Sequence, residues 1–253
     1  GPPCWGSGYF PPIYQGTLFR PGRLPILNLK PSGNRDISRQ QRNLQLLRQL
    51  NSLRRSPGDD ILEARAASYE LAFRMQRHAP EAVNLSQETR ETQSLYGVDR
   101  PETEEFGRRC LLARRLVERG VRFVQLFTKN QYWDHHGNIK NKLPEICKQT
   151  DLPSAGLIAD LKQRGLLDET LVVWTGEFGR TPFDQDLSRG KDPPETYGRG
   201  HSPQGFSAWM AGGGVKGGLA HGDTDDLGYR AVEGKVHIHD LHATMLHLLG
   251  LDH

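Results

Sequence analysis

Cysteine is scarce in this chain: Cys4, Cys110 and Cys147 are the only three in 253 residues, and they lie far apart. That count and spacing exclude a disulfide-stapled framework and a zinc ribbon, leaving buried or incidental thiols. Long apolar runs are also missing. None approaches the roughly 18 residues that cross a bilayer, and the opening residues lack the charged-then-apolar pattern of a secretory signal. Charge of one sign is not in excess either. With 33 basic against 30 acidic side chains the formal net charge is only +3, and pairs such as Arg54-Arg55 and Arg108-Arg109 fall on solvated helix faces. A nucleic-acid partner is therefore not expected. Internal repeats and low-complexity tracts are absent as well.

What is present is enough apolar material, 36% of the residues, for one large domain with a proper core. The whole of 1–253 is read as a single, incomplete domain. The chain starts at Gly1 in a Pro/Gly-rich stretch and stops three residues after Gly250, so both ends are expected to be cut and part of an active site to lie outside.

Residues 1–35 are rich in Pro, Gly and aromatics, Trp5, Tyr9, Phe10, Ile13, Tyr14 and Phe19 among the large side chains, and are read as an ordered loop region. A helical hairpin is expected over 36–78. Its first helix starts at Asp36 and ends before Ser56-Pro57-Gly58, and its second starts near Asp60. An α/β core then fills 101–253. There, Pro101-Glu102-Thr103 opens a helix that Gly120 stops. Strands are expected at Val121 to Phe127, Thr170 to Trp174 and Phe206 to Ala211, with helices at Ser154 to Arg164 and Asp240 to Leu249. Such alternation predicts a mostly parallel, helix-covered sheet.

Two loops follow apolar β-like runs, where open α/β sheets place their ligands. In Tyr132-Trp133-Asp134-His135-His136-Gly137-Asn138, Asp134 and His136 are two apart and project to one side of an extended stretch, so they can share a metal. A polar turn capped by Trp133 is the bland alternative. In Thr175-Gly176-Glu177-Phe178-Gly179-Arg180-Thr181, a carboxylate at the sheet's edge needs a cation or a partner, and either a metal or Arg180 serves. A third segment, Tyr197-Gly198-Arg199-Gly200-His201, adds a lone histidine among glycines. Gly212 to Gly218 reads as a turn-rich loop without Walker spacing, and His237, His239 and His242 as the start of an amphipathic helix.

These segments in this order, with Gly120-Val121-Arg122-Phe123-Val124-Gln125-Leu126, Trp209-Met210-Ala211-Gly212-Gly213-Gly214 and His237-Ile238-His239-Asp240-Leu241-His242, resemble the DUF1501 family, mostly bacterial proteins abundant in planctomycetes. That family is similar in turn to the alkaline phosphatase superfamily of phosphatases, sulfatases and phosphoglycerate mutases. The resemblance implies a three-layer α/β/α sandwich and a divalent metal, zinc first with manganese or calcium as alternatives. It also implies Asp134, His136, Glu177 and His201 as metal ligands. Arg180 or Arg199 would then clamp the non-bridging oxygens of a small-molecule or polysaccharide phosphate or sulfate ester. A periplasmic or secreted location is implied too.

The chain departs from that pattern in places. Glu177 is followed by Phe178 where the superfamily has a histidine ligand, and no cysteine sits in the Cys-x-Pro-x-Arg context of a sulfatase nucleophile. The expected activity is metal-dependent hydrolysis of phosphate or sulfate esters by the complete protein, with this chain inactive alone. The alternative is a non-catalytic exported binding or scaffold protein that keeps the fold.

Overall fold

A computed structural model describes residues 6–10, 14–20, 22, 25–26, 29, 36–53, 60–128, 131–185 and 193–252. Cys4, Trp5, Ile13 and the Ser56-Pro57-Gly58 breaker lie outside the described residues. The chain divides into two compact units, Gly1–Gln87 and Glu88–His253.

In the first unit, helix α1 (Ile37–Leu53) and helix α2 (Asp60–Ala82) pair with each other. Gln40 donates to Gln76 at 3.0 Å and Arg48 pairs with Glu70. One number rises as its partner's falls, so the helices are antiparallel. Helix α1 buries no residue, whereas α2 buries Ala64, Phe73 and Ala82.

The second unit is built on helices α3 (Arg90–Leu95), α4 (Glu104–Glu118) and α5 (Ile139–Gln163). Thr89 caps α3 by accepting from the Thr92 amide at 3.2 Å. The buried stripe of α4 is Cys110, Leu111, Leu112 and Ala113. Its end is a Schellman turn: the Val121 amide donates to Leu116 O at 3.0 Å and the Gly120 amide to Val117 O at 2.8 Å, with Gly120 at φ +83°. Helix α5 begins well before the expected Ser154. Pro144 and Pro153 lie inside it, and these two apparent breakers hide the helix from a sequence reading.

Where α4 and α5 pack, a charged cluster is buried. Arg114 is 1% exposed and meets Glu88 at 2.7 Å, Glu118 at 2.7 Å and Asp160 at 2.9 Å. Arg115 also reaches Glu88, and the Tyr96 hydroxyl donates to Asp160 at 2.9 Å. Burial, followed by the nearby Asp160, pushes the Tyr96 phenol up.

The mostly parallel sheet of an α/β/α sandwich is not what forms. Strands β1 (Val172–Thr175) and β4 (Ala208–Ala211) pair antiparallel, with Val172 opposite Ala211 and Trp174 opposite Trp209. Strand β2 (Gly179–Arg180) pairs antiparallel with β3 (His201–Ser202), and β5 (Asp223–Thr224) with β6 (Ala231–Glu233). Each is a separate two-stranded sheet. The architecture is mixed and largely helical, with short antiparallel ribbons. Parallel pairing needs a crossover, usually a helix, yet no α-helix lies between β1 and β4 among the described residues. The expected strand at 121–127 joins no ladder among them either, so no strand–helix–strand unit closes.

Helix α6 (Ile238–Leu248) ends the unit. His237 and Asp240 form a capping box, the His237 amide donating to Asp240 at 2.8 Å and His237 Nδ1 accepting from the His239 amide at 3.2 Å.

Candidate metal centre

Aromatic packing fixes the loop that carries Asp134. The Trp133 ring meets Trp174 edge-on at 5.8 Å between centroids, and Trp174 stacks on Trp209, its cross-strand partner, at 6.2 Å and 5°. Cross-strand aromatic pairs stiffen a ribbon. Here they also anchor the residue next to Asp134. The Asp134 amide donates to Gln131 O at 3.0 Å, and Gln131 takes a left-handed φ of +47° to make that turn.

The other side of the site comes from the β2–β3 ribbon. Its register sets Arg180 directly opposite His201, and opposed residues on an antiparallel pair project from the same face. Both reach Asp134. Its Oδ1 lies 2.6 Å from Arg180 Nη1, 3.0 Å from His201 Nε2 and 2.8 Å from His136 Nε2. Arg180 also donates through Nη2 to the Trp133 carbonyl at 3.2 Å. The partners come from distant parts of the chain: Asp134 and His201 are 67 residues apart, and Trp133 and Arg180 are 47 apart.

A brace holds the His201 loop against the His136 loop. The Arg199 amide donates to His135 O at 2.8 Å, the Asn138 amide to Thr196 O at 2.8 Å and the Ile139 amide to Tyr197 O at 3.0 Å. Gly198 is obligatory here, because a Cβ on it would overlap the backbone of His136 and Gly137. On the far side the Gly200 amide donates to Thr181 Oγ1 at 2.9 Å, and the Gly198 amide to Asp184 Oδ1 at 3.0 Å.

Asp134, His136 and His201 each offer one donor atom, and the three atoms lie within 4.8 Å of one another. Among the described residues this is the one such group, so His237, His239 and His242 form none. Across 1–253 the chain matches the family model described as "Protein of unknown function (DUF1501)". It is a member of the DUF1501 family. No curated protein and no solved structure matches it.

In this DUF1501 chain the donor set suits a divalent ion. One carboxylate and two imidazoles are borderline-to-hard ligands of the kind zinc and manganese take. Asp134 Oδ1 lies 2.8 Å from His136 Nε2 and 3.0 Å from His201 Nε2, close enough for the three side chains to converge on one ion. The electrostatics favour an ionised Asp134. The hydrogen bond from His201, and after it that from Arg180, hold its carboxyl down at about 2 against the opposing effect of burial.

Other candidate residues are placed less centrally. Glu177 is exposed on the turn between β1 and β2 and is not part of the cluster. Arg199 is half-buried and donates through Nη1 to Gly198 O at 3.1 Å. His135 is not part of the cluster and is buried, 5% exposed, with Nε2 unpartnered among the described residues. Burial, then the charges of Lys142 and Arg180, push its imidazole down.

A cavity of about 440 Å³ opens beside the cluster, lined by His136, Thr181, Phe183, Gln185, Gly200 and His201. Thr181 closes the Glu177 motif, but the bracing residues Asp184 and Gln185 were not anticipated from the sequence. They lie in a short stretch with neither periodicity nor a motif, and the only signal was its closeness to Arg180.

Proposed function

We propose that Asp134, His136 and His201 hold a divalent cation, zinc first with manganese or calcium as alternatives, and that this site serves the hydrolysis of phosphate or sulfate esters. The observation that carries the reading is the convergence of one carboxylate oxygen and two imidazole Nε2 atoms beside an open cavity. When bound, such an ion lowers the pKa of a water or hydroxyl and neutralises charge on a leaving oxygen. Ester chemistry, as opposed to another hydrolysis, is supported by the motif resemblance to the alkaline phosphatase superfamily.

The chain's own groups have definable tasks in this reading. Asp134 supplies a carboxylate that stays ionised at any working pH. Arg180, held by the Trp133 carbonyl, keeps a guanidinium next to the cluster, where its planar fork suits the non-bridging oxygens of a tetrahedral oxyanion. Arg199 offers a second guanidinium from the neighbouring loop. Phe178 packs on the His201 ring at 4.5 Å between centroids and limits its rotation. An exported location, also supported by the family resemblance, is tested by locating a tagged full-length protein in its host.

The Arg180–Asp134 contact at 2.6 Å favours a second reading, in which the carboxylate is already neutralised by arginine and the protein is a non-catalytic binding or scaffold module. Metal content measured by plasma mass spectrometry separates the two. Near-stoichiometric metal in the wild type, lost in Asp134→Ala and His201→Ala, with turnover of an aryl phosphate or aryl sulfate, supports the enzyme. Metal without turnover keeps the site and sinks ester hydrolysis. No metal in any sample sinks the metal-centre reading and supports the non-catalytic module.

A further inference from the structure

Resting on that metal centre, one neighbouring side chain stands out. His136 offers Nε2 to the cluster, 2.8 Å from Asp134 Oδ1, while its other ring nitrogen, Nδ1, meets the side-chain oxygen of Gln185. Without a cation the Asp134 carboxylate favours the proton on Nε2; once a cation takes the Nε2 lone pair, the one proton of the neutral ring sits on Nδ1 and needs an acceptor there. An amide oxygen can only accept. We infer that Gln185 is a positioning residue: by accepting the Nδ1 proton of His136 it fixes the tautomer whose Nε2 lone pair faces the cation.

The surroundings fit that role. Gln185 lies 49 residues from His136 and lines the same cavity as His136 and His201. Its neighbour Asp184 is anchored to the Gly198 amide, and Thr181, in the same stretch, to the Gly200 amide. The stretch that presents the amide is therefore tied to the loop that presents His201. Metal-bound histidines generally donate their second N–H to an oxygen that orients the ring, and removing that oxygen lowers metal affinity roughly 10- to 100-fold.

The test uses the full chain, with zinc titrated into wild type, Gln185→Leu and Gln185→Glu, and imidazole proton–nitrogen spectra recorded with and without zinc. Circular dichroism checks that all three fold alike. Leu removes the acceptor at similar size, and Glu restores it. The expected result is a Nδ1–H signal for His136 in the zinc-loaded wild type, a 10- to 100-fold loss of zinc affinity in Gln185→Leu, and recovery of both signal and affinity in Gln185→Glu. If zinc binds all three proteins equally, or the Glu variant is as weak as the Leu variant, the role assigned to Gln185 is overturned and the metal centre stands. If the wild type binds no zinc, the metal centre falls and the role assigned to Gln185 falls with it.

Discussion

Gly198 shows how much of the centre depends on the absence of a side chain. Its backbone lies against that of His136 and Gly137 with no space for a Cβ, and this approach lets the Arg199 amide reach His135 O. Gly198→Ala is expected to separate the two histidine loops, lowering stability by about 1–3 kcal/mol, as other overpacking substitutions do. Metal content should fall while the far-UV dichroism stays close to wild type; a variant with undiminished metal would show the approach to be dispensable. At this scale the sequence singled out Asp134 and His136, but the run before them joins no ladder among the described residues. Turns, with the Asp134 amide on Gln131 O and the His136 amide on Asp134 O, shape the segment that carries them. The sequence was silent on Gln185, because nothing in its local pattern shows that it folds against a histidine in a different loop. Cys110 is the opposite case. The helical stripe alone placed it in the core, where burial pushes its thiol up to about 12.

Among the elements, helices were the more readable. The acids at Glu104 and Glu105, the apolar stripe and the stop at Gly120 specified α4; α5 was cut short on paper because its prolines imitate a boundary. Pairing of strands was not readable. Val172 to Thr175 and Ala208 to Ala211 are both apolar, and composition does not say whether two such segments run parallel or antiparallel. That choice rests on the connection between them. The buried Arg114 cluster was likewise hidden, since nothing in the local sequence sets Arg114 apart from the chain's other arginines. Arg114→Ala removes the buried cation that Glu88 and Asp160 share, leaving Arg115 on Glu88 and the more exposed Arg164 on Asp160. It should cost about 3–5 kcal/mol in denaturant unfolding, whereas Arg114→Met, which fills the volume, combined with Glu88→Gln should cost much less. Equal losses in both variants would show that packing, not the unpaired charge, sets the cost.

For the whole molecule the same cluster predicts the response to acid. Burial pushes the Glu88 carboxyl up, but hydrogen bonds from Arg114 and Arg115 and their charges outweigh it and leave the group below its ordinary value of 4.5. A carboxyl lowered by folding stabilises the native state above the unfolded value, and that contribution fades as pH falls through the lowered native value. Thermal midpoints should therefore drop below about pH 4.5 more steeply in wild type than in Glu88→Gln. Parallel curves would show that Glu88 does not contribute to the acid limb.

The distance in sequence between the partners of the centre also bears on time. Asp134 and His201 are 67 residues apart, and His136 and Gln185 are 49 apart. Closing loops of that length costs entropy that only later contacts repay, so local structure such as α4 and α5 forms ahead of them. The centre is then assembled after the rate-limiting step of folding. Stopped-flow measurements should find His201→Ala refolding at nearly the wild-type rate and unfolding faster: the centre sets how long the native state lasts, with little influence on how quickly it is reached.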